Sequence, residues 1–81
     1  MLPFDPDACR LRISKHFRGT TMRRWGWSYR DVRDAFREAY RVDRAGKGKF
    51  EVWVRKHGSK KLVVAYDETA DMVTVITGTE G

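Results

Sequence analysis

Three short strand-like runs, joined by turns too short for a crossover, constrain the second half of this chain more than any other feature. Phe50-Glu51-Val52-Trp53-Val54-Arg55 alternates with a period of two, the signature of a half-buried strand. His57-Gly58-Ser59-Lys60 supplies a turn, and Leu62-Val63-Val64-Ala65-Tyr66 is apolar on both faces, as an interior strand is. Asp67-Glu68-Thr69-Ala70-Asp71 turns the chain again into Met72-Val73-Thr74-Val75-Ile76-Thr77. Turns of this length join antiparallel neighbours. A further strand is expected to begin within Tyr40–Arg44, with Gly46-Lys47-Gly48-Lys49 as its hairpin turn.

The first half reads as one strand and two helices. Cys9-Arg10-Leu11-Arg12-Ile13 alternates, with Leu11 and Ile13 on one face. Ser14 stands where an N-cap belongs, its hydroxyl placed to accept from an orphan amide of the first turn. A helix is predicted from Lys15 to about Arg24, turning Phe17, Thr21 and Trp25 inward. Gly19 and the Thr20-Thr21 pair are poor helix formers and make it short or irregular. Gly26 breaks the chain, and Ser28-Tyr29-Arg30-Asp31 approaches a capping box. The helix that follows is predicted from Tyr29 to about Arg41, with Val32, Ala35, Phe36, Ala39 and Tyr40 as its inward stripe. The expected fold is therefore α+β: β-α-α, then a three- to four-stranded antiparallel meander, with the helices packed on one face. One domain is expected, with its core at about residues 9–78 and flexible ends.

Composition narrows the function. Hydrophobic residues at 41% are ample for a core despite 35% charged residues. No apolar run approaches the roughly 20 residues that span a bilayer, so no membrane is expected. The first residues lack the basic-then-apolar pattern of a signal peptide. Cys9 has no second cysteine to pair with, and no metal spacing appears. The expectation is a cytoplasmic protein without metal or other cofactor. Charge is distributed unevenly. Residues 10–61 hold all seventeen Lys and Arg against five acids, and Arg10 to Arg30 carries seven bases and no acid. A single-sign block of this kind attracts phosphates. RNA is the expected partner, and DNA is less favoured because no recognition-helix motif stands out.

Within the basic block, His16 follows the Ser14 cap and is the candidate general acid or base. The competing reading is a helix-start imidazole bonded to backbone. Arg55-Lys56-His57-Gly58-Ser59-Lys60-Lys61 makes a basic hairpin suited to gripping phosphates, although His-Gly-Ser is also ordinary turn chemistry. Trp25-Gly26-Trp27-Ser28-Tyr29 places rings among arginines; such rings stack bases when exposed and form core when buried. A two-metal nuclease is disfavoured, because the basic region has too few carboxylates.

Ser14-Lys15-His16, then Met22-Arg23-Arg24-Trp25-Gly26-Trp27-Ser28, an amphipathic helix and a meander ending in Val75-Ile76-Thr77 resemble a small prokaryotic domain family. Its signature runs Ser-x-His, Arg-Met, Arg-Gly-aliphatic-Ser, and it is thought related to RelE/ParE-type toxins. The likeness spans roughly residues 10–78, with Trp25 where the family tends to have Arg and Trp27 where it has an aliphatic residue. The resemblance implies a RelE-like or microbial-ribonuclease-like fold, RNA as substrate and an acidic antitoxin as partner. On it rests the expectation of a metal-independent endoribonuclease, in which a ribose 2′-OH attacks the adjacent phosphate. His16 would act as base or acid, and Arg23, Arg24 and Arg55 would stabilise the developing charge. Arg10, Arg12, Lys15, Arg18, Lys56, His57, Lys60 and Lys61 would grip the strand. The alternatives are a non-catalytic nucleic-acid-binding module and a toxin-like protein whose basic surface binds an acidic antitoxin.

Overall fold

The computed structural model describes residues 2–81. Its elements in chain order are β1 (Arg10–Ile13), α1 (Lys15–Gly19), α2 (Thr21–Trp25), α3 (Tyr29–Arg37), β2 (Ala39–Gly46), β3 (Lys49–Arg55), β4 (Ser59–Asp67) and β5 (Met72–Glu80). The strands form one five-stranded sheet in the order β1-β5-β4-β3-β2. Consecutive strands from β2 to β5 pair antiparallel, whereas β1 lies parallel to β5 with Leu11 opposite Val73 and Ile13 opposite Val75.

This corrects the expected β-α-α plus three- to four-stranded antiparallel meander. Among the described residues the sheet has five strands and is mixed, and there are three helices. Alternation and short turns dictate how neighbouring runs pair, but they do not say where a lone strand 62 residues upstream of its pairing partner will dock. The helices decide that: they carry the chain across one face to β2 at the far edge, and three hairpins return it beside β1.

The first expected helix is two. Thr20 leaves helical geometry (φ −121°, ψ −87°), and its hydroxyl donates to the His16 carbonyl at 2.6 Å. Back-bonding of this kind competes with the helix ladder, and Gly19 before it adds no helical preference. Ser14 caps α1 as expected, its Oγ accepting from the Phe17 amide at 3.1 Å. The Ser14 hydroxyl also donates to the Ile76 carbonyl at 2.7 Å, which ties the start of α1 to β5. At α3 the capping box is complete: Ser28 Oγ accepts from the Asp31 amide, and the Asp31 carboxylate accepts from the Ser28 amide at 2.8 Å. That helix ends at Arg37, not near Arg41. Ala39 and Tyr40, expected on its inward stripe, belong to β2, because residues from Ala39 onward pair with β3.

The core lies between the helices and one face of the sheet. Phe17, Val32, Phe36, Val52, Val54, Leu62, Val64, Val73 and Val75 are its largest fully buried side chains. It begins earlier than position 9. Phe4 is 5% exposed and meets Phe36 edge-on with ring centroids 5.1 Å apart. Arg33 Nη1 donates to the Pro6 and Cys9 carbonyls at 3.0 Å each, fixing this leading segment to α3. The pleat then leaves the opposite face of the sheet uncovered by any helix.

Candidate nucleic-acid interface

Strand geometry sends successive side chains to opposite faces. Since Val52, Val54, Leu62, Val64, Val73 and Val75 are buried under the helices, their neighbours in sequence emerge on the open face. The pairing register arranges these in rows. Arg41, Trp53, Lys61 and Thr79 form one row across β2, β3, β4 and β5. Asp43, Glu51, Val63 and Thr77 form the next. Lys49, Ala65, Thr74 and Arg12 form a third, reaching β1.

Cations lie over rings in the first of these rows. The Arg41 guanidinium sits 4.6 Å from the Trp53 ring centroid, and the Lys61 amine lies 5.8 Å from it on the neighbouring strand. Next to this row the Arg55 guanidinium lies 4.3 Å from the centroid of Tyr40. A bulge between Ala39 and Arg41 puts Tyr40 on this face as well. Tyr40 is 37% exposed and its hydroxyl meets Ser59 Oγ at 2.5 Å. Arg41 also reaches Asp43 at 2.8 Å, which raises its pKa through that hydrogen bond, and Lys61 reaches Glu51 at 3.2 Å. The face as a whole carries Arg10, Arg12, Arg41, Lys49, Arg55 and Lys61 against Asp43, Glu51 and Asp67.

The residues expected to work together are divided among four places. His16, Lys15 and Arg18 are exposed on α1, and Arg23 and Arg24 on α2, in the helix layer. Arg10, Arg12, Arg55 and Lys61 belong to the open face. Lys56 and Lys60 turn to the helix side, where the fold uses them. The Lys56 amine stands 3.6 Å from Asp31 and 4.0 Å from Asp34 on α3. Lys60 is 6% exposed; its amine donates to the His57 carbonyl at 2.7 Å and lies 3.6 Å from Glu80 and 5.2 Å from the Trp25 ring. His57 occupies the hairpin tip in a left-handed conformation (φ 55°). The structure thus groups His16 with Arg23 and Arg24 on one layer and puts Arg55 on the opposite face.

The aromatic cluster at Trp25–Tyr29 resolves mostly as packing. Trp27 is buried, and Trp25 packs against Phe17 and Trp27 while its Nε1 donates to Glu80 at 3.1 Å. Tyr29 is the exposed ring of that segment. Sequence reasoning missed Trp53, Tyr40 and Arg41 as site residues. The signal was available for Trp53, which alternates with Val52 and Val54 and so must face away from the core. Among the described residues no group of three or more His, Cys, Asp or Glu is placed to hold a metal ion, and no helix is long and apolar enough to cross a membrane. No protein-family model, no curated protein and no solved structure matches this chain.

Proposed function

We propose that this chain is a binding domain for single-stranded RNA and that the open face of its sheet is the binding surface. The observation that carries the reading is the stacking of Arg41 and Lys61 on Trp53, with Arg55 on Tyr40 beside them, on a face no helix covers. Aromatic and guanidinium planes stack unpaired bases, while the neighbouring cations neutralise phosphates. The reading at this face is binding, because His16 lies away from it in the helix layer with Arg23 and Arg24, and so shares no reacting atom with Arg55.

The test is binding of an unstructured RNA of about ten nucleotides, with chelator present, reading both affinity and fragment ends. Trp53→Ala should weaken binding about 5- to 150-fold, the range for losing one stacked base. His16→Ala should change neither affinity nor RNA length. Fragments with cyclic phosphate ends that vanish in His16→Ala would instead support the toxin-type ribonuclease.

The helix layer favours a second reading for its own surface. Lys15, Arg18, Arg23, Arg24 and Arg30 are exposed there, with no carboxylate at ion-pair distance among the described residues. An acidic protein segment of the antitoxin kind fits such a surface by charge. Replacing Lys15, Arg18, Arg23 and Arg24 by Ala together should leave RNA affinity within about threefold if this layer serves a protein partner. A larger loss would assign the layer to RNA.

A further inference from the structure

The row Lys49–Ala65–Thr74–Arg12 has two small side chains between two long cations. It is therefore low in the middle and high at both ends, and a hollow of about 470 Å³ lies over it, with Lys47 of the β2–β3 turn also at its wall. Among the described residues, no carboxylate comes within ion-pair distance of Arg12, Lys47 or Lys49. Asp67 and Glu68 line the hollow too. The Asp67 carboxylate is turned to its own turn, where Oδ1 accepts from the Thr69 and Ala70 amides at 3.0 and 3.2 Å. Ala65, Thr74 and Met72 line it from the strands, and so does Tyr66, whose ring packs on Phe4 and whose hydroxyl is taken by Asp71. Three long cations and the Thr74 hydroxyl around an open hollow suit a phosphate.

We infer that this hollow is a phosphate subsite of the RNA-binding face, seating one phosphate of a strand whose bases stack at Trp53. The inference rests on the RNA reading above and adds to it a second, chemically distinct anchor point. Lys61 and Ala65 are four residues apart on β4, which separates the two anchors by roughly 13 Å. The phosphate has two sources, an internal phosphodiester or a phosphorylated strand end.

The experiment measures affinity at several salt concentrations for eight-nucleotide RNAs with a free 5′ end, a 5′-phosphate or a 3′-phosphate. Wild type, Trp53→Ala and the double variant Arg12→Ala/Lys49→Ala are compared. Removing the two cations that face this one phosphate should weaken binding and flatten the slope of log affinity against log salt by about 0.7. If an internal phosphodiester occupies the hollow, all three RNAs lose equally. If a strand end occupies it, the double variant erases the advantage of the phosphorylated RNA that wild type prefers. Wild-type affinity and slope in the double variant, with Trp53→Ala still impaired, would overturn the subsite and leave the RNA face standing. Unchanged binding in both variants would overturn the RNA face and the subsite with it.

Discussion

Lys60 is 6% exposed with its amine on the His57 carbonyl, while Lys61, one residue on, crosses to the open face and reaches Glu51. The pleat alone separates a structural cation from a surface one. Lys60→Ala removes a buried side chain together with its hydrogen bond to the His57 carbonyl and should cost about 1–3 kcal/mol in denaturant unfolding. Lys61→Ala should stay within about 0.5 kcal/mol. Gly78 is constrained differently. A Cβ there would stand 2.8 Å from Phe17 Cε1 and 2.9 Å from Trp25 Cη2, since α1 and α2 rest directly on β5. Gly78→Ala should therefore destabilise by about 1–3 kcal/mol, read in the same assay. Tyr66 donates its hydroxyl to Asp71 at 2.8 Å, and that bond, ahead of burial and the Asp71 charge, pushes its pKa up to about 12. A folded-state pKa above the unfolded value of about 10 means that the bond's contribution is whole below pH 10 and is lost as pH rises towards 12. Ultraviolet titration should show one phenol ionising near pH 12, absent in Tyr66→Phe.

At the scale of elements, β3, β4 and the start of β5 were legible because a period of two and short turns leave little freedom of pairing. The start of α3 was legible for a similar reason: Ser28 and Asp31 satisfy each other's backbone within one turn. Ser28→Ala should cost about 1 kcal/mol by thermal or denaturant unfolding. The same bonds from Ser28, ahead of the Lys56 charge, hold the Asp31 carboxyl below its ordinary pKa. Its stabilisation is present above the unfolded value of about 3.9 and is lost as pH falls through the lower folded one. The end of α3 was not legible. Ala39 and Tyr40 continue the helical spacing of Val32, Ala35 and Phe36, yet β3 offers Ala39 and the residues after Tyr40 a ladder of backbone partners. Tertiary pairing overrides local periodicity there. The split of α1 from α2 was half visible in Gly19 and Thr20, whose weak helical preference marks the place of the break without fixing its geometry.

For the whole molecule, the sequence located the basic block but not the surfaces it makes. Arg10 and Arg12 join Arg55 and Lys61 only because β1 docks beside β5, which no local pattern announces. Lys15, Arg18, Arg23 and Arg24 go to the other side of the same core, where Lys56 is half-buried beside Asp31 and Lys60 is buried. Charge and rings coincide on the uncovered sheet, where Arg41, Trp53 and Lys61 stack across three adjacent strands. The most direct test is an amide and indole chemical-shift map of the folded chain titrated with an unstructured ten-nucleotide RNA at low salt. The account predicts that the Trp53 indole and the backbone amides of Arg41, Arg55, Lys61 and Thr74 move together with one affinity, while those of His16, Arg23 and Arg24 stay in place. Shifts confined to α1 and α2, with Trp53 unmoved, would contradict it.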